Sequence, residues 1–464
     1  MDNDFDSVSW QNEPDSDVSR PNTSQGDPGA GASGKRKASS GSAQAGYQAD
    51  GVDLAGIGEG RLDCKVDAPL KENDGTKDAY VSYLVTTHTD FASFQKPYEK
   101  VRRRFTDFVF LYKELCKQYP QCAVPPLPDK HKMEYVRGDR FGPDFTNRRA
   151  HSLHRFLKRC ASHPVLRRAT LLTIFLESSD WNAHMRQHPK RATSMSEQST
   201  GVFDSFADTF VNAFSKVHKP DKRFIEVREK ADKLDEDLGH VSRVIARIGR
   251  READLETDYG DLSTQFLKLE IMEPGVDSQL HAFAQGVEET AKGIQNLKEH
   301  TDQNYLGGLR DMEAYTASLK ALLKSREQKQ LDYEGLTEYL NKASYDRDSL
   351  ASNNYSQSPA SFIRSKIEDA RGVDHEQARR ERVRKLEMQI ERLVKEVEDA
   401  RLASEAYDGE VVREVQDFER IKAAEFKDSL GALADKHVEF YGGVIETWER
   451  YLKDMEADGG VAEL

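Results

Sequence analysis

Between Phe224 and Trp448 apolar residues return at gaps of three and four, a spacing that allows little except long helices packed on one another. A first stretch carries Phe224, Val227, Ala231, Leu234, Leu238, Val241, Ile245 and Ile248. It resumes at Leu255, Tyr259, Leu262, Phe266 and Leu269 and stops at Pro274-Gly275. A second runs from Leu280 through Leu322, fades near Tyr345, and gives way to a polar loop from Asp346 to Ser361. A third starts near Phe362 and carries Leu386, Ile390, Leu393, Val397, Val411, Phe418, Phe426, Leu430, Leu433, Val444, Ile445 and Trp448. Residues at such spacings share one helix face, and that face must leave water. Three rods and two breaks predict an antiparallel bundle. Three helices are too thin to bury all of these stripes, which predicts a dimer.

Composition supports long solvated helices over a large globular core: net charge is -13, with 37% hydrophobic and 32% charged residues. No apolar run approaches the ~20 residues that cross a bilayer, and Met1-Asp2-Asn3-Asp4 is too acidic for a secretory signal. Any membrane contact is therefore expected to be peripheral. Cys64, Cys116, Cys122 and Cys160 show no paired spacing, as expected of reduced thiols in the cytosol. Charge is uneven along the chain: residues 97–168 hold 17 Lys+Arg against 7 Asp+Glu, net +10, leaving -23 for the remainder. A basic surface is drawn to an anionic leaflet by about 1 kcal/mol per cation. Nucleic acid would be drawn as well, but the stretch contains no nucleic-acid motif and none is expected as a partner.

Residues 1–55 are rich in Ser, Gly, Asp and Gln and are expected to be a disordered tail. From Leu62, Cys64 and Val66 the pattern alternates, turns at Asn73-Asp74-Gly75, and alternates again through Val81, Tyr83 and Val85. A third strand is expected from Tyr98 to Phe105, followed by a helix on Phe108, Leu111, Tyr112 and Leu115. His151 and His154 lie three apart but lack a third ligand, so they are expected at the surface or near a bound headgroup. Residues 182–220 form a polar linker holding an amphipathic stripe of Phe203, Phe206, Phe210 and Phe214. That stripe either wedges into a leaflet or packs a domain junction.

The site is sought in Lys100-Val101-Arg102-Arg103-Arg104-Phe105-Thr106-Asp107-Phe108, which sets four cations beside an aromatic ring. Arg presents fixed donors to phosphate, and a neighbouring ring can cover a sugar-like headgroup. Pro125-Pro126-Leu127-Pro128-Asp129-Lys130 follows, then Asp144-Phe145-Thr146-Asn147-Arg148-Arg149 opening a helix on Leu153, Phe156 and Leu157. These three blocks, in this order, resemble the PX domain of sorting nexins that bind phosphatidylinositol 3-phosphate. The resemblance implies that Arg104 grips the 3-phosphate and Phe105 packs on the inositol, with Thr106 beside the headgroup. It assigns Lys130 to the 1-phosphate and Arg149 to the ring hydroxyls. Phe105 stands where Tyr is commoner, so stacking is kept and a phenolic hydrogen bond is not. Met133, Tyr135, Val136 and Phe141 are expected in a loop that dips towards the headgroups.

A PX segment, an amphipathic stretch and three long helices in that order resemble the PX-BAR sorting nexins, as does Ala161-Ser162-His163-Pro164. The implied fold is an α+β PX domain (a small antiparallel sheet plus helices) over 60–181, then the linker. An all-α three-helix BAR-type coiled-coil domain follows over 221–457. The implied function is that of a non-enzymatic peripheral protein on endosomes that senses or induces curvature. It would retrieve cargo, SNAREs included, to the Golgi and act in selective autophagy at the preautophagosomal structure. The partner would be another PX-BAR protein or a second copy. No catalytic residue, metal or cofactor is expected. A PX-anchored coiled-coil scaffold that does not bend membranes is the alternative. Lys320, Lys324, Arg326 and Lys329, with Arg379, Arg380, Arg382, Arg384 and Lys385, are placed near the far tip. There they either meet phosphates or are ordinary solvated helix faces.

Overall fold

In the computed structural model the described residues are 60–76, 79–128, 141–187, 221–352 and 375–457, all within one unit spanning Leu54–Leu464. Three antiparallel strands come first: β1 Leu62–Glu72, β2 Tyr80–Thr89 and β3 Tyr98–Arg104, in the order β1-β2-β3. The expected alternation holds: Leu62, Cys64 and Val66 are buried, Asp63 and Lys65 between them are exposed, and Asp67 is half-buried. At the hairpin, Asn73 (φ 54) and Gly75 (φ 78) take left-handed conformations that Asn and Gly tolerate best. Helices α1 Phe105–Gln118, α2 Pro143–Ser162 and α3 Thr170–Glu177 cover one face, and α4 Trp181–Gln187 closes the domain. Their core is Phe108, Leu111, Leu153, Phe156, Phe175 and Trp181 against Tyr83 and Val85. The Phe108 and Trp181 rings stand edge-on to Phe175 at 4.9 and 5.0 Å.

The second half is the expected set of long helices. Helix α5 Lys222–Met272 starts at Asp221, whose carboxylate accepts the Arg223 N–H at 2.9 Å. Helices α6 Asp277–His300 and α7 Gly307–Ala351 are joined by a π-turn, Thr301–Leu306, with helical backbone on both sides, so they form one rod. Helix α8 His375–Ala457 spans 83 residues, about 125 Å at the helical rise. The loop expected from Asp346 begins later, because helix α7 continues to Ala351. The expected start of the third helix at Phe362 lies outside the described residues. Met312, Tyr315, Leu319, Val411 and Phe418 form the bundle core.

The two halves meet along one face of α2. Arg148, Ser152, Arg155 and Arg159 recur at gaps of four, three and four, so they share that face. Arg148 reaches Asp302 at 2.5 Å, and Ser152 and Arg155 both bond the Asp311 carboxylate, at 2.8 and 2.6 Å. Arg159, 2% exposed, grips both oxygens of Glu425 at 2.6 and 2.8 Å and donates to the Asp311 carbonyl at 2.9 Å. A Cβ on Gly307 would lie 2.9 Å from the Arg155 guanidinium, so glycine here lets that side chain approach without shifting. Ala123, from the loop after α1, is buried within the bundle's own core, and Tyr407 donates to the Pro120 carbonyl at 2.9 Å.

The tip assignment is corrected for two cations. Arg326 is buried over the Phe224 ring at 4.1 Å and holds Asp408 in a fork, one residue from Tyr407 at the seam. Lys320 ties α7 to α5 through Asp232 and Asp235 at 2.8 and 3.0 Å. Spacing alone cannot separate a cation that bridges helices from one that faces solvent.

Breaking a buried pair strands the remaining charge. Arg159→Ala is expected to lower the unfolding free energy of the full chain by about 3–5 kcal/mol in urea titration. Lys158→Ala, which removes the exposed Lys158–Asp428 pair, is expected to cost about 0–1 kcal/mol.

Candidate functional site

Strand β3 hands over to α1 at Arg104, and Asp107 sets the junction. Its Oδ2 accepts the Arg104 N–H at 2.8 Å, filling a donor that the helix start leaves open. Asp107 is buried, and Oδ1 has no hydrogen-bond partner among the described residues. Burial pushes its carboxyl pKa up, while Arg104 and Arg103 pull it down.

The run of cations does not make one surface. Pairing of Leu84 with Arg102 and of Ser82 with Arg104 puts Arg102 and Arg104 on the outer face and turns Arg103 inward. Arg103, 3% exposed, donates to the carbonyls of Phe175 at 2.9 Å, Arg102 at 3.1 Å and Ser178. It lies against the Phe175 and Trp181 rings, and burial lowers its pKa to about 10. Its work is to bind α3 to the sheet. Arg102 donates to Ser82 Oγ at 3.1 Å and to the Ala68 carbonyl at 3.2 Å, where β1 changes register between Asp67 and Leu70.

Arg104 is different. Its guanidinium makes no hydrogen bond or ion pair with any described residue and lies over the Tyr80 ring at 4.4 Å. Beside it, Arg149 on α2 lies 4.3 Å from the centres of both Phe105 and Phe145. Arg149 also neighbours the Tyr83 hydroxyl, whose pKa burial raises and Arg149 lowers. Arg148 docks on the bundle while Arg149 turns to these rings, because successive helical residues point about 100° apart. The fold thus brings Arg104, Phe105 and Arg149 together, and Thr106 is exposed on the first turn of α1. Lys130 and the expected dipping-loop residues Met133, Tyr135 and Val136 lie outside the described residues. So do Phe203, Phe206, Phe210 and Phe214. Phe141 carries Lys71 over its ring at 4.8 Å.

Two rings were missed in the sequence. Phe145 is one turn before Arg149, a spacing that signals contact only once the helix is granted. Tyr80 is revealed by strand register alone, since it shares a face with Ser82, the residue opposite Arg104.

The histidine expectation is corrected. His151 and His154 are half-buried, on the α2 that docks against the bundle. Burial first, and then the charges of Lys158, Arg155, His151 and Lys65, together drive the His154 pKa down to about 4. His151 is lowered by the same burial and by Arg155 and His300.

Cys122, His163 and Glu414, all buried, have ligand-type atoms within 4.8 Å of one another. His163 Nδ1 accepts the N–H groups of Val165 and Leu166, both at 3.2 Å, so the ring proton sits on Nε2 and is donated to Glu414 at 2.8 Å. A metal on Nε2 would leave neither nitrogen protonated. Glu414 also accepts the Ala123 N–H at 2.9 Å, and burial, then Glu414, pushes the Cys122 thiol pKa up. The trio is a proton-filled lock between the halves. Its sequence signal is Ala161-Ser162-His163-Pro164, whose histidine has no visible partner until Glu414 is brought to it.

The PX domain family model matches residues 91–179, and the family described as "Vps5 C terminal like" matches residues 199–454. The chain is 67% identical over 473 residues to sorting nexin-4 of Emericella nidulans, covering 98% of this chain and 97% of that one. Sorting nexin-4 of Aspergillus fumigatus is 66% identical over 474 residues, with 98% and 95% coverage. That of Cryptococcus neoformans is 38% identical over 396 residues, with 84% and 80% coverage. Among solved structures, the SNX-BAR Mvp1 tetramer seen by cryo-EM matches with TM-score 0.57 at 17% identity, covering 84% of this chain and 99% of that chain.

His154 titrates near 4 when folded and near 6.5 in its ordinary state. Its neutral form therefore contributes stability that is whole above about pH 6.5 and is lost as pH falls towards 4. The urea midpoint is expected to drop across that window, and His154→Asn, which stays neutral, to flatten the drop.

Proposed function

The chain belongs to the sorting nexins that join a PX domain to a Vps5-type BAR domain, a family of non-enzymatic membrane-trafficking adaptors, and on that premise we propose that it binds phosphatidylinositol 3-phosphate on endosomes. The observation that carries the reading is Arg104: a guanidinium at the pocket with no described hydrogen-bond or ion-pair partner. Elsewhere in the chain, Arg103, Arg155, Arg159 and Arg326 each make directed hydrogen bonds. In this reading Arg104 takes the 3-phosphate, Phe105 the inositol ring and Arg149 the hydroxyls. Thr106 lies beside the headgroup, and Lys130 meets the 1-phosphate. Phosphate prefers the planar fork of Arg over a point charge when geometry is to be read.

The second half acts as a dimer. Val241, Ile248, Leu255, Leu262 and Leu269 are exposed on α5 at intervals of seven, and Val438, Tyr441, Ile445 and Leu452 are exposed near the end of α8. A seven-residue apolar stripe left in water is the signature of a helix awaiting another helix. The partner is a second copy or another PX-BAR protein. No described helix is long and apolar enough to cross a membrane, and the protein is proposed to sit peripherally. It would move between the cytoplasm, endosomes and the preautophagosomal structure. There it would retrieve cargo, SNAREs included, to the Golgi and act in selective autophagy by binding and shaping membrane. The stripe of Phe203, Phe206, Phe210 and Phe214, just ahead of the Asp221 cap, would add a shallow leaflet anchor. The α2 seam holds each pocket to its bundle, so two pockets per dimer would gain avidity without new contacts.

Arg104→Ala is expected to abolish binding to liposomes containing phosphatidylinositol 3-phosphate while leaving dimer mass unchanged. Undiminished liposome binding would remove the pocket assignment. Ile248→Glu combined with Leu255→Glu is expected to give a monomer in sedimentation equilibrium, and a persisting dimer would move the interface elsewhere.

A further inference from the structure

We infer that Tyr80 is a positioning residue of the lipid pocket, holding the Arg104 guanidinium by its face so that its edge stays free for phosphate. This rests on the pocket reading proposed above and goes beyond the residues which that reading names. Arg104 lies 4.4 Å from the Tyr80 ring centre, and no described residue makes a hydrogen bond or ion pair to its guanidinium.

Stacking is suited to that task. The donors of a guanidinium lie in its plane, whereas attraction to an aromatic ring acts through the faces. A carboxylate would hold Arg104 as firmly, but it would occupy the donors and cancel the charge. Arg159 shows that outcome on Glu425, with both partners withdrawn into the seam. Without any tie, a long side chain would have to be ordered by the ligand itself, which weakens binding.

Both anchors of the stack are set by backbone. Tyr80 pairs with Glu72 at the start of β2, and Arg104 pairs with Ser82 at the end of β3 while its N–H is held by Asp107. Tyr80 is only half-buried and does not belong to the core around Phe108. Its replacement therefore leaves the fold standing.

The test uses the full chain on phosphatidylcholine vesicles with and without phosphatidylinositol 3-phosphate, and follows melting temperature in parallel. Tyr80→Leu, which keeps apolar bulk but no π face, is expected to bind about three- to thirtyfold more weakly, with melting unchanged. Tyr80→Phe and Tyr80→Trp are expected to bind as the natural chain does. If Tyr80→Leu binds normally while Arg104→Ala does not, the positioning role is overturned and the pocket stands. If Tyr80→Phe loses as much as Tyr80→Leu, the hydroxyl and not the ring face is the contact, and the inference fails. If Arg104→Ala binds normally, the pocket reading itself falls and the role of Tyr80 falls with it.

Discussion

Arg159 lies between the Glu425 carboxylate and the Asp311 carbonyl, out of water, and the relation of the PX domain to the bundle depends on that desolvated pair being complete. Withdrawing charges from water costs several kcal/mol each, recovered only when every donor and acceptor is met. Arg148, Ser152 and Arg155 on the same face, with Glu414 receiving His163 and Ala123, make the contact all-or-none. A dock shifted by one helical turn would leave carboxylates buried and unpaired. Such interfaces hold one register strongly even when they add little net stability. The PX domain is thereby held at one angle to its helices.

The basic segment therefore serves three physical ends that net charge cannot tell apart. Arg103 is a strut inside the PX core. Arg148, Arg155 and Arg159 fasten that domain to the bundle. Arg104 is held on a ring with its hydrogen-bonding edge uncommitted. The distinction lies in what each guanidinium faces: carbonyls, carboxylates or an aromatic ring. Only the last leaves hydrogen-bonding capacity for a ligand. The surface available to attract a membrane is correspondingly smaller than the sequence count of cations implies.

The π-turn at Thr301–Leu306 sits where α2 meets the bundle: it carries Asp302, and Gly307, which Arg155 approaches closely, follows it directly. Extra backbone in a helix turn shifts the faces that follow it. Here one contact of the docking face, Asp302, lies in the turn itself and another, Asp311, lies after it.

Periodicity was enough to place the first two strands and the long helices, but not α3, and α4 runs to Gln187 where a linker was expected from 182. Alternation marked the first two strands, Asn73-Asp74-Gly75 marked their turn, and gaps of three and four marked the long helices, because burial on one face is a local property of sequence. The residues proposed for the pocket were legible as contiguous motif blocks, and the fold brings Arg104, Phe105 and Arg149 together. What only tertiary structure decided is which partner each polar residue meets. The inward turn of Arg103, the stack of Tyr80 on Arg104 and the pairing of His163 with Glu414 join residues from 24 to 251 positions apart. Such pairings depend on strand register and helix docking, which no local pattern encodes. A cation reads the same in sequence whether it will face water, a carboxylate or a ring.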